Sequence, residues 1–410
     1  GSSIRKMKLR VSTSGLGGAA ITTVVLMSPV AANDLFNLQS LVPGMALGQS
    51  IAFVFLINGR KLTLRVSSGI LAMLLATAIL LTASAIHGGI SVFPSAIFLA
   101  LVIILAINGF LVASLILENP STSRQVVVLT YYAFLTIGFH KLLFEKTDFL
   151  LIGEPSYFAL IVGPLSLIAY SFKRRLGLIN LLILFGFAVL VPNITIALFG
   201  LIQAGWLLLM ARQKLIFFCL FLVLALIISW YGISFNNEYT GSRVTLDASE
   251  GNLSSLLYIA SWIDVWNRIQ SFEFLGTGVG SAAIPLGDEN EFSRQALADY
   301  GSWLTYNSGT FWFARAVQTI GFVSLAVIFV IAFSVLSVLK SVKKIGWVEP
   351  KAHLVLILYS TLLPELFFRS PALLGYSSII FFVGLSLDWK VRRKKANAKR
   401  HELVNPYLSK

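Results

Sequence analysis

Apolar residues fill this chain in long runs, and short polar joints separate them. Continuous apolar stretches near twenty residues predict bilayer-spanning helices, because about 20 residues at helical rise cross the hydrocarbon layer. Spans are expected near 13–33, 39–58, 66–87, 93–117, 125–141, 156–172, 176–191, 193–211, 214–235, 310–338, 352–368 and 372–389. The runs are continuously apolar, which does not fit the alternating pattern of a membrane β-barrel. Within lipid every backbone polar group needs an internal partner, so each span is expected to be helical. The predicted fold is all-α: a polytopic integral membrane protein with about 12 transmembrane helices. The pattern breaks once, between about Asn236 and Gly309, where apolar runs stop for roughly seventy residues. The break divides the chain into a membrane bundle over 1–235, a loop with short helices over 236–309, a second membrane part over 310–389 and a basic tail over 390–410.

Composition agrees with this pattern. The 410 residues are 57% hydrophobic and 12% charged, whereas soluble domains carry about 25% charged residues. Charge then orients the spans. Of the 32 Lys and Arg residues, 25 fall in segments that alternate to one side: Arg5–Arg10, Arg60–Arg65, Arg124, Lys173–Arg175, Arg212, Lys214, Lys340–Lys351 and the stretch after Asp388. Of the 18 acidic residues, 14 fall on the other side or at its edge. Basic residues accumulate on cytoplasmic loops, so both termini are expected in the cytoplasm and the 236–309 loop outside it. The net charge of +14 then needs no nucleic acid partner. The run Lys390–Arg400 reads as a topology anchor beside anionic lipid. The first span has no short apolar core with a small-residue cleavage site, so it reads as a membrane helix rather than a signal peptide. The single cysteine, Cys219, permits no intramolecular disulfide, and no Cys–His metal pattern is present.

The chain carries no phosphate-binding loop, dinucleotide fingerprint, HExxH or GxSxG. Neither nucleotide energy nor a metal or organic cofactor is therefore expected. There is no clear internal repeat of the kind secondary transporters show.

Candidate chemistry concentrates in and just after the long loop. Arg243 follows Gly241-Ser242 at its entry. A guanidinium there suits a phosphate, because its fork reaches two oxygens, and equally suits solvent or lipid headgroups. Residues 253–270 predict a helix lying on the membrane. Leu253, Leu256, Leu257, Ala260 and Ile263 recur at helical spacing, with Trp262 and Trp266 as interfacial residues. Asp264 and Arg268 are four apart on one face, either as a surface pair or as groups offered to a substrate. Gly276, Gly278 and Gly280 alternate in Leu275-Gly276-Thr277-Gly278-Val279-Gly280. Such a turn is a loop base, or its amides cradle an anion. The acidic stretch 288–300, with Asp288, Glu289, Glu291, Arg294 and Asp299, reads as a solvated lid helix. Arg315 lies about one and a half turns into the tenth span, where a charge snorkels or faces a wet cavity. Glu365 lies well inside the eleventh span, four residues before Arg369. It reads as a partner of Arg369 or Arg315, or as a base or sugar-hydroxyl ligand.

The order of these features resembles the Wzy-type O-antigen polymerases and the related O-antigen ligases. The shared sequence is many helices, Gly241-Ser242-Arg243, a Trp helix, Leu275-Gly276-Thr277-Gly278-Val279-Gly280, Asn307-Ser308-Gly309 before a helix, then Thr319-Ile320-Gly321-Phe322 within it. The motifs cover residues 240 to 325, and the architecture covers the whole chain. Tyr306 stands where the ligases carry a histidine, which favours polymerase over ligase. The family's second arginine is not in its usual segment, which here reads Pro192-Asn193-Ile194-Thr195; Arg315, Arg268 or Lys141 stands in for it. The resemblance implies a GT-C-like, metal-independent glycosyltransferase of the bacterial inner membrane. Its substrates would be undecaprenyl-diphosphate-linked oligosaccharide units in membrane lipid, and its partner a chain-length regulator protein. It implies catalytic roles for Arg243, Arg268, Arg315 and Glu365. Substrate contacts would come from Gly276, Gly278, Gly280, Asn307, Asp264, Arg369 and Lys141. A ligase acting on lipid A-core, or a lipid-linked oligosaccharide flippase, is the alternative expectation.

Overall fold

A computed structural model of the chain describes residues 13–36, 42–57, 68–143, 155–190, 193–210, 248–250, 253–279, 290–301, 311–345, 350–370 and 375–404. The ninth expected span, 214–235, lies outside these residues, as do Arg243, Gly280, Asp288, Glu289 and Asn307. Among the described residues the fold is all-helical. The helices are α1 (Thr13–Phe36), α2 (Val42–Ile57), α3 (Ser68–His87), α4 (Phe93–Glu118), α5 (Pro120–Leu143), α6 (Pro155–Phe172), α7 (Gly177–Leu190) and α8 (Ile194–Met210). Then follow α9 (Leu253–Gln270), α10 (Glu291–Tyr300), α11 (Trp312–Ile320), α12 (Leu325–Ile345), α13 (Pro350–Ser360), α14 (Leu363–Phe367) and α15 (Tyr376–Val404).

Proline and glycine set several boundaries. Pro120 disfavours helical geometry at the residue before it, and Asn119 (φ −129°, ψ 67°) separates α4 from α5. The core lies among α5, α6, α7, α8, α13 and α15, where Tyr131, Phe134, Tyr170, Leu184, Phe199 and Tyr359 are fully buried. One buried polar pair joins two helices, α4 and α2. Asn108 Nδ2 of α4 donates to the main-chain oxygen and to Oε1 of Gln49 on α2, at 2.9 and 3.0 Å. Helix α15 packs along α4 and runs on past the expected end of its span. There Lys390 bonds Ser114 and lies over the Phe110 ring, 3.8 Å from its centroid.

By length and composition, α4 is long and apolar enough to cross a membrane. Several shorter helices are also apolar, including parts of α2, α3, α6, α7 and α8. Large apolar side chains stand on outer faces, for example Leu178 and Leu182 of α7, and Phe329 and Phe333 of α12 at 70 and 72% exposure.

Two expected spans are interrupted. The tenth, 310–338, is divided at a 3-10 turn, Gly321–Ser324, between α11 and α12. Gly321 has φ +80°, a conformation that favours glycine. The eleventh, 352–368, is divided between α13 and α14. Pro364 lies in the first turn of α14. It brings no N–H and disfavours a continuous helix through the residues ahead of it. Both candidate charges of these spans, Arg315 and Glu365, lie on the short pieces.

Helix α9 forms where it was expected, but its apolar stripe has a protein partner. Leu256, Leu257 and Ala260 are buried against Phe292 and Ala296 of α10, with Leu253 and Ile263 beside them. Each leucine removed from water in this way contributes about 1.5–3 kcal/mol. Helix α10 is held by a capping box: the Asn290 side chain accepts from the Ser293 amide, and Ser293 Oγ accepts from the Asn290 amide. The two tryptophans of α9 separate. Trp262 packs on Phe311 and Phe313, with ring centroids 4.7 and 6.0 Å away, while Trp266 is 60% exposed.

Candidate functional site

Two arginine–carboxylate centres form on neighbouring helices. The first is on α9. Arg268 Nε donates to both oxygens of Asp264, at 3.1 and 3.0 Å. Its Nη1 donates to Glu273 Oε2 at 2.6 Å. The second contact depends on how α9 ends. Phe272 takes a left-handed conformation (φ 52°), its amide bonds the Ile269 carbonyl, and the Glu273 amide bonds the Arg268 carbonyl. This αL ending is usual at helix C-termini, though glycine is its usual occupant. It turns the chain back so that Glu273 meets Arg268. The guanidinium therefore lies between two carboxylates.

The glycine turn follows, and it acts on α11. The last carbonyls of a helix lack intrahelical donors. Here the Thr277 and Gly278 amides donate to the carbonyls of Gln318 and Thr319, at 2.8 and 3.0 Å. The Phe322 amide returns a bond to the Glu273 carbonyl at 3.0 Å. Segment 273–278 thus caps the C-terminus of α11. A β-carbon at Gly276 would overlap the carbonyls of Gln318 and Thr319, and one at Gly278 would press on Ala85 at the end of α3. The Thr277 and Gly278 amides, for which the sequence left open a loop base or an anion cradle, are engaged by protein backbone. The turn links α3 to the helix that carries Arg315.

The second centre is buried. Helix α11 is packed around residues Phe313–Thr319, against Val265 of α9 and Phe367 of α14. Arg315 is only 4% exposed and Glu365 only 1%. Arg315 interacts electrostatically with Arg369, Tyr157 and Glu365. The Glu365 carboxylate accepts from the Ser377 amide at 2.8 Å and from Ser370 Oγ at 3.3 Å. Ser377 is in the first turn of α15, where free amides and the helix dipole favour a negative charge. Gly375 makes this approach possible, because a β-carbon there would overlap the carboxylate. Tyr376, between Gly375 and Ser377, is 4% exposed and interacts electrostatically with Tyr157 and Glu365.

Of the residues expected from sequence, the structure brings together Arg315, Glu365 and Arg369. It pairs Asp264 with Arg268, and it places Gly276 and Gly278 against α11 and α3. Lys141 lies in the last turn of α5. Among the described residues, no three His, Cys, Asp or Glu side chains cluster as metal ligands would. Sequence reasoning missed Tyr157, Tyr376, Ser370, Ser377 and Glu273. The only sequence signal for the two tyrosines is their position at span ends, which also marks an aromatic belt. Comparisons of the chain with protein-family profiles, characterised proteins and solved structures find no match.

Proposed function

We propose that this chain is a multi-pass protein of the bacterial inner membrane that polymerises lipid-linked oligosaccharide units at the periplasmic face. In this reading it acts as the Wzy-type O-antigen polymerases do. The observation that carries the reading is the meeting of buried Arg315 and Glu365, on the short pieces of two interrupted spans, with the half-buried Arg369 just past the second. Ionisable groups inside apolar helical proteins are expensive to bury and mark substrate sites by default. The apolar outer faces and the one-sided distribution of basic residues support the multi-pass topology.

The donor is the growing chain on undecaprenyl diphosphate, and the acceptor is a sugar hydroxyl of a new lipid-linked unit. The hydroxyl oxygen forms a bond to the anomeric carbon as that carbon's bond to the diphosphate oxygen breaks. Arg315 and Arg369 stabilise the negative charge that develops on the leaving diphosphate. Glu365 orients the acceptor hydroxyl, and its proton leaves to the carboxylate or to the departing diphosphate. The activated donor supplies the energy. Arg243, at the loop entry, is a further candidate for the diphosphate.

Purified protein in nanodiscs with labelled lipid-linked units should build a ladder of longer chains. Glu365→Gln should slow the ladder at neutral pH while the protein still folds. Movement of the labelled unit across liposomes with no lengthening would sink the polymerase reading and favour a flippase. Transfer of the chain to lipid A-core without a ladder would identify a ligase instead.

A further inference from the structure

The buried centre holds one group that the polymerase reading has not used. The Tyr376 hydroxyl is buried and has no hydrogen-bond partner. A hydroxyl removed from water without a partner is unfavourable by roughly 1–3 kcal/mol, and phenylalanine would avoid this with the same ring. The residues on either side of Tyr376 are both committed to Glu365. Gly375 lies directly against its carboxylate, and the Ser377 amide donates to Oε2. The backbone on both sides of Tyr376 is therefore held against Glu365, and the buried phenol interacts with Glu365 and Tyr157. Arg315, which interacts with the same two residues, is also within this cluster.

The chemistry of the cluster says what would complete it. Arg315 and Arg369 supply only donors. The carboxylate already accepts from Ser370 and Ser377. The phenol and Arg315 both interact with Tyr157 and Glu365, and an acceptor suited to this cluster carries negative charge and offers several lone pairs. A phosphate oxygen has that chemistry.

We propose that the Tyr376 hydroxyl donates a hydrogen bond to a phosphate oxygen of the bound substrate, and stays without a partner until that substrate arrives. The proposal rests on the reading of this centre as the place where a lipid diphosphate is held. It adds Tyr376 to the groups that recognise it.

The test compares wild-type protein with Tyr376→Phe in nanodiscs, with undecaprenyl diphosphate or inorganic diphosphate added. Without ligand, Tyr376→Phe should unfold at the same temperature as wild type or higher. With undecaprenyl diphosphate its apparent Kd should rise about tenfold, the loss expected for a hydrogen bond to a charged group. Loss of inorganic diphosphate binding in the variant would support the same contact, with free phosphate as the source. Equal affinity of the two proteins, no binding of either probe by wild type, or a lower unfolding temperature of the unliganded variant would each overturn the proposal. Wild type that binds the probe more tightly than Tyr376→Phe but builds no ladder would keep the Tyr376 contact and sink the polymerase reading.

Discussion

The two arginine centres each hold a carboxylate four residues before an arginine, yet they differ. Asp264 and Arg268 are four apart, as are Glu365 and Arg369. On α9 the spacing works as it does on a regular helix, and Arg268 closes onto Asp264 and then onto Glu273. In the second centre α14 ends at Phe367, so Arg369 lies past the helix and the four-residue rule no longer sets its geometry. The Glu365 carboxylate turns to Ser370 and to the first turn of α15. A local pair stabilises its own helix. A carboxylate that reaches the first turn of another helix joins separate elements within a buried cluster.

The largest effect is expected at Arg315. Arg315→Ala should slow chain elongation by about 100-fold or more, the loss expected when one oxyanion-stabilising donor is removed. It should also lower stability by roughly 3–5 kcal/mol, because a buried charge cluster loses one member. Arg315→Lys restores the charge but not the fork, and should recover stability more than rate. The ladder assay and thermal unfolding measure the two effects separately. A rate for Arg315→Ala equal to wild type would remove Arg315 from the chemistry.

A smaller effect is expected at Gly375. An alanine there overlaps the Glu365 carboxylate, and overpacking of this kind costs about 1–3 kcal/mol. Thermal unfolding of Gly375→Ala reads the loss. Wild-type stability would mean that the carboxylate does not depend on this approach.

The smallest effect should come from Arg268→Ala. Its pairs are local and partly solvated, so the loss should be about 0.2–1 kcal/mol, with elongation changed by about twofold or less. An effect as large as that of Arg315→Ala would erase the distinction between the centres and return Arg268 to the reaction.

Much of the fold was legible. Long apolar runs located most helices, and the α9 pattern matched its observed range because periodicity and length are local properties. Asp264–Arg268 was legible for the same reason. The roles of the glycine turn and of Tyr376 were not. Alternating glycines permit an anion cradle and a helix cap equally well. The choice depends on whether a carbonyl end such as Gln318–Thr319 lies opposite, which is a long-range fact. A tyrosine at the start of the last span reads as an interfacial residue until Gly375 and Ser377 are seen against Glu365.

The helical class and the local pair on α9 were legible in the chain itself. Each follows from composition or from spacing within a single helix. The tertiary structure decided that two expected spans are interrupted, that α9 buries its stripe against α10, and that Arg315, Glu365 and Tyr376 meet. The physical reason is range: these groups belong to α11, α14 and α15. Only packing of those helices, with Gly321 and Pro364 at their breaks and segment 273–278 as the cap of α11, brings the groups into one buried cluster.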